Sequence, residues 1–71
     1  MYLDKNLKID FPIPTLLQEV LVQIDAAYTR GDDIEFSYLR DDLEITAKQA
    51  LRAGKITRDQ FDWIMKRYGL L

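Results

Sequence analysis

Between Thr15 and Arg30 the chain reads TLLQEVLVQIDAAYTR, and this stretch constrains the fold more than any other. Leu16, Leu17, Val20, Leu21, Ile24, Ala27 and Tyr28 recur at spacings of one, three and four, which gathers them on one broad face of an α-helix. Gln18, Glu19, Gln23, Asp25 and Arg30 fall outside that face. Each large apolar side chain gains roughly 1.5–3 kcal/mol on burial before conformational entropy is set against it. The helix must therefore pack on something. In a chain of 71 residues that something is the rest of one small domain or a second copy.

The flanking residues set the boundaries. Thr15-x-x-Gln18 has the form of a capping box, with Pro14 ending the segment before it. Gly31 follows Arg30 and suits a left-handed helix end. Asp32 and Asp33 offer N-caps for a second helix, with Glu35 favoured in its first turn by the helix dipole. That helix is predicted over 34–53, where Phe36, Leu39, Leu43, Ala47, Ala50 and Leu51 share a face. Tyr38 and Ile45, seven residues apart, lie on nearly the opposite side. A helix with two apolar faces sits between two partners. A third helix is predicted over 57–68. Thr57-x-x-Gln60 is a second capping box, Ile56 and Phe61 are placed to staple across it, and Phe61, Ile64, Met65 and Tyr68 form an inward stripe. The chain's three glycines, Gly31, Gly54 and Gly69, each follow a predicted helix.

Residues 1–14 carry a different period. Leu7, Ile9, Phe11 and Ile13 alternate with Lys8, Asp10 and Pro12, the signature of a strand. Pro12 has no N–H to donate, so the segment can be only an edge strand or an extended arm. A lone strand in an otherwise helical chain either pairs with its copy in a dimer or lies as an apolar strap over the helices. The expected fold is all-α: one domain spanning 1–71, with an extended N-terminal arm or short strand over 1–14 and helices over 15–30, 34–53 and 57–68.

Composition narrows the chemistry. The chain has no cysteine and no histidine, and Ser37 is its one serine. A disulfide, a Cys/His zinc site and a Ser-His or Cys-His nucleophile system are all excluded within it. A domain this small with neither staple commonly gains stability by oligomerising. Asp32/Asp33 and Asp41/Asp42 are adjacent carboxylates, but neighbours on a helix point about 100° apart and do not converge on one substrate. The acidic run from Asp32 to Glu44 lacks the spacing of a calcium loop. Arg30-Gly31-Asp32 reads as a helix end followed by an N-cap rather than an adhesive loop. No catalytic, cofactor, metal or small-molecule site is expected, and the chain is not expected to be an enzyme.

Charge is uneven. Residues 1–35 hold three cations against seven carboxylates, net −4, and residues 36–71 hold seven against five, net +2. The acidic whole argues against general nucleic-acid binding, which rests on neutralising phosphates. No run approaches the length of a membrane span, and MYLDKNLKID lacks the apolar core of a secretory signal, so a cytoplasmic location is expected.

Binding to a protein is the remaining class. Trp63 lies about 160–200° from the Phe61/Met65 stripe, with Arg67 four residues on. Exposed tryptophan beside arginine is the composition of an interface hot spot. The same pair also suits a tryptophan half-covered by the N-terminal arm or capped by Arg67 through a cation–π contact. Tyr38 and Ile45 on the second helix are companion candidates for a partner surface. Asp32, Asp33, Asp41, Asp42 and Glu44 would steer encounter with a basic partner.

Two family resemblances bear on this. In LRAGKITRDQFDWIMKRYGLL, Gly54, Ile56, Thr57 and Phe61 with terminal Leu70-Leu71 resemble the core of SHOCT-type short C-terminal domains, over about thirty residues. That resemblance implies a role in assembly or binding. The order strand, helix, glycine turn, helix over residues 7–53 is similar to the ribbon-helix-helix repressors. It implies a dimeric DNA-binding regulator in which Leu7, Ile9, Phe11 and Ile13 face inward and Lys8, Asp10 and Pro12 face DNA. The residues favour a non-catalytic protein–protein interaction module, a small accessory or regulatory protein acting as an oligomer, with a homodimer suspected. The DNA-binding dimer is the alternative.

Overall fold

Three helices form: α1 over Thr15–Arg30, α2 over Asp33–Arg52 and α3 over Arg58–Arg67. The computed structural model describes residues 1–71, and its helix limits fall within one residue of those expected from sequence. No strand is present. Within one chain the alternation in residues 7–13 therefore yields no sheet, because the chain contains no second strand to pair with it. It survives as a burial pattern: Leu7, Ile9, Phe11 and Ile13 are half-buried while Lys8, Asp10 and Pro12 are exposed.

The α1–α2 connection is as short as a helical hairpin allows. Gly31 takes a left-handed conformation, φ 72° and ψ 26°, which a Cβ would strain. Its N–H donates to the Tyr28 carbonyl at 3.1 Å and that of Asp32 donates to Ala27 at 3.0 Å, the paired bonds of a Schellman end. The same two bonds recur at Gly54 and Gly69. The Asp32 side chain then accepts from the Glu35 N–H at 3.1 Å, so one dipeptide ends α1 and starts α2. So short a link makes the helices antiparallel neighbours. The Tyr28 and Phe36 rings meet near the link at 6.0 Å, and Leu16 and Leu17 lie beside Gln49, Ala50 and Ala53 at the far end.

Helix α3 folds back through a fully formed capping box. Thr57 Oγ1 accepts from the Gln60 N–H at 3.1 Å, and Gln60 Oε1 accepts from the Thr57 N–H at 2.9 Å. Ile56 and Phe61, the staple pair, are both buried. Thr57→Ala removes one arm of this box and is expected to cost about 1 kcal/mol in denaturant unfolding; a loss below about 0.3 kcal/mol would mean the box adds little to α3.

The other sequence capping box does not form. Pro14 is the N-cap of α1 and no side chain caps it. The Gln18 N–H already bonds the Pro14 carbonyl at 2.9 Å, so Thr15 is inside the helix and its hydroxyl is out of position. Leu16 is a second correction. It stands 70% exposed, whereas Leu17, Leu21, Ile24 and Ala27 are buried. Leu16 and Leu17 point about 100° apart, and only Leu17 lies near the centre of the buried arc.

The core is wholly apolar. Fourteen side chains are buried, twelve from the three helices with Ile56 before α3 and Tyr68 just after it, and Leu17, Ile24, Ala27, Leu43, Ala47, Ile64 and Tyr68 are fully closed to solvent. Leu3, Ile9, Phe11 and Ile13 pack against this cluster from outside. The radius of gyration, 11.2 Å, matches the roughly 11 Å expected of a compact chain this long, so the N-terminal segment belongs to the same body.

Candidate functional site

Two places hold the chemistry of the molecule: a polar clamp where the N-terminal segment crosses α3, and the outward side of α2. The clamp is built around Arg67. Its Nη1 donates to the Leu7 carbonyl at 2.9 Å and to that of Asp4 at 3.3 Å, its Nε donates to the Tyr68 hydroxyl at 3.3 Å, and Nη2 pairs with Asp25 Oδ2 at 3.5 Å. The Arg67 carbonyl in turn accepts from the Asp4 N–H at 2.8 Å. One turn back, the Trp63 indole N–H donates to the Lys8 carbonyl at 2.8 Å. The segment makes no ladder, so these side chains supply partners for backbone groups that a strand would have satisfied.

Tyr68 closes the clamp from within the core. Its ring is fully buried, and its hydroxyl donates to Asp25 Oδ1 at 2.6 Å across 43 residues of sequence. Burial pushes the phenol well above its ordinary value, and the bond to the Asp25 carboxylate pushes it the same way. The Arg67 guanidinium is held further on the protonated side than usual: burial alone opposes this, and the Tyr68 hydroxyl and Asp25 carboxylate outweigh it. No buried side-chain polar atom is left without a partner.

Beside the clamp, Lys5, Lys8, Ile9, Gln18, Leu21, Val22, Asp25, Arg67 and Tyr68 border an open cleft of about 270 Å³. Its inner charged groups are already committed to one another: Asp25 uses both oxygens, and each guanidinium nitrogen of Arg67 has a partner. The acidic residues of α2 do not converge with others into a cation-holding group.

The outward side of α2 is different in kind. Its core-facing residues Phe36, Leu39, Leu43, Ala47 and Ala50 define one direction, and Ile34, Tyr38 and Ile45 lie within about 40° of the direction opposite. All three are uncovered, at 73%, 69% and 57% exposure. Asp41 lies on the same stripe, and Lys48 and Arg52 continue it toward the C-terminal end, all exposed.

The sequence-derived site residues therefore separate into two groups. Tyr38 and Ile45 share the α2 stripe, joined by Ile34, which periodicity could have found four residues before Tyr38. Trp63 stands elsewhere, beside Asp10, Phe11, Asp59 and Gln60, and is 39% exposed. Arg67 is turned inward, with its side chain 14% exposed and its donors spent within the chain. Its guanidinium lies over the Tyr68 ring at 5.5 Å, not over that of Trp63. Asp25 was legible only as a polar residue off the apolar face of α1, and nothing in the local pattern pairs it with Tyr68.

No protein-family model matches the chain, and neither curated proteins nor solved structures provide a match. No helix is long and apolar enough to cross a membrane.

Proposed function

We propose that the chain is a non-catalytic protein–protein interaction module, a small accessory or regulatory protein that works in the cytoplasm and docks through the outward side of α2. The observation that carries this reading is the stripe of Ile34, Tyr38 and Ile45, three large apolar side chains exposed in line on the side of the helix away from the core. Scattered exposed leucines need no explanation, but a lined-up set on a rigid helix is the anchor pattern of helix-mediated recognition. Covering all three yields roughly 3–6 kcal/mol gross, against at least about 4 kcal/mol of lost translational and rotational freedom. Docking of this size suits reversible association rather than a permanent complex.

The non-catalytic part rests on chemistry. The chain has no histidine or cysteine, and the carboxylate in the cleft beside the clamp, Asp25, has both oxygens engaged by Tyr68 and Arg67. The N-terminal segment serves as a strap that completes the fold, with Trp63 and Arg67 as its fasteners. Its apolar side chains already lie on the helices of its own chain.

A photoreactive phenylalanine analogue in place of Tyr38, expressed in cells, tests the reading. Irradiation is expected to give discrete protein adducts, with the same chain or another, that are absent when the analogue replaces exposed Glu19 on α1. Adducts at Tyr38 no stronger than at Glu19 would remove the docking face.

A further inference from the structure

Resting on that reading, we propose that the occupant of the α2 face is a second copy of this chain, docked antiparallel about a two-fold axis beside Ile45. The argument is the order of charge along the stripe. Asp41 and Asp42 lie in its N-terminal part, and Lys48 and Arg52 lie in its C-terminal part, all four exposed. A parallel copy would set Asp41 and Asp42 against themselves and Lys48 and Arg52 against themselves. An antiparallel copy sets Asp41 against Lys48 and brings no like charges face to face among these four residues, and a two-fold contact must be self-complementary in this way.

The register follows from the helix period. With Ile45 of each copy at the axis, Asp41 falls opposite Lys48 of the second copy, Asp42 opposite Gln49 and Tyr38 opposite Arg52. Asp41 and Lys48 lie on one edge of the stripe, while Asp42 and Gln49 lie on the other, at about 100° per residue. In an antiparallel two-fold pair, like edges face each other, so every one of these pairings is allowed at once. The apolar pair Ile45–Ile45 then sits at the centre, the aromatic ring of Tyr38 meets a guanidinium, and charge lies toward the ends. Lys48 pairs with Glu44 of its own chain at 3.3 Å, so Asp41 of the second copy would join an existing ion pair at the edge of the stripe. The overlap runs over about 15 residues, from Tyr38 to Arg52, ~22 Å of helix; it leaves Ile34 beyond its end and is a small contact, so the dimer is expected to dissociate on dilution.

The experiment is light scattering from about 10 μM to 1 mM at low and moderate salt. The expected mass rises from one chain to two with concentration, and Ile45→Asp holds it at one chain with unchanged circular dichroism. Asp41→Lys and Lys48→Asp are each expected to weaken self-association at least about tenfold, because each sets like charges opposite. An equimolar mixture of the two variants restores both charge pairs and is expected to recover wild-type affinity within about threefold. A wild-type monomer throughout, a dimer untouched by Ile45→Asp, or a mixture no tighter than its components would each overturn the proposal. The outcomes also separate it from the reading beneath it. A monomer whose residue 38 still crosslinks to a foreign protein keeps the docking face and rejects the second copy. A monomer with no adducts rejects both.

Discussion

Replacing Arg67 with alanine is expected to destabilise the domain by about 2–4 kcal/mol, a drop of about 15–25 °C in midpoint for a domain of this size. From the end of α3 the guanidinium ties the N-terminal segment to α1, through the carbonyls of Asp4 and Leu7, the Tyr68 hydroxyl and the Asp25 carboxylate. Most of the effect should come from the carbonyl bonds. The Asp25 side chain is 43% exposed, so water screens much of its attraction for Arg67. Arg67→Lys keeps the charge but has no planar fork to span two carbonyls and a carboxylate, so it is expected to recover less than half of the loss. Amide exchange gives a second readout: the Asp4 N–H, bonded to the Arg67 carbonyl, should lose protection in both variants as the strap loosens. A loss under about 0.5 kcal/mol in Arg67→Ala would mean that apolar packing alone holds the segment.

The same clamp predicts a pH dependence with a definite sign. The Tyr68 phenol is raised in the folded chain, by burial first and by Asp25 second, above the value of about 10 that it has unfolded. Its contribution is therefore whole below pH 10, and it is lost as pH rises from there toward the folded value, because only the unfolded chain releases the proton. The stability gap between wild type and Tyr68→Phe, about 1–2 kcal/mol at neutral pH, is expected to narrow in alkaline solution. A gap that stays constant to pH 11 would mean the hydroxyl ionises as freely folded as unfolded.

What the sequence makes legible divides by the range of the interaction. The helix ends could be read because glycine, aspartate and threonine act within four residues of where they stand, as at Gly31, Asp32 and Thr57. The inward stripe of α3 could be read because Phe61, Ile64, Met65 and Tyr68 follow one period on one helix, and all four are buried. Thr15 shows the limit of such signals, since the same motif as at Thr57 caps nothing once Pro14 takes the N-cap position. The role of Arg67 was hidden for a different reason. Two of its four partners are main-chain carbonyls about sixty residues away, and a carbonyl leaves no mark in sequence. The surplus apolar residues of α2 are legible as a second face, and Ile34, four residues before Tyr38, belongs to it by the same period.

That second face can be separated from the first by two substitutions two residues apart. Leu43 and Ile45 point about 200° from each other on α2. Leu43 is fully buried, and Ile45 is 57% exposed. Leu43→Ala removes three carbons from a core sealed on all sides and is expected to cost about 3–4 kcal/mol, or some 20 °C or more in midpoint. Ile45→Ala removes a comparable volume from open solvent and gains helix propensity, so its stability is expected to stay within about 0.5 kcal/mol of wild type. Association should respond in the reverse order. Leu43→Ala, measured at a temperature where it remains folded, keeps the outward stripe and should self-associate nearly as wild type does. Ile45→Ala should self-associate several-fold more weakly while melting at the same temperature at concentrations where both chains are monomeric. The joint result matters more than either half, because a residue that serves only packing lowers the midpoint and one that serves only docking does not. If Ile45→Ala instead lowered the midpoint by more than about 10 °C without changing association, Ile45 would be part of the folding face, and α2 would have one functional side rather than two.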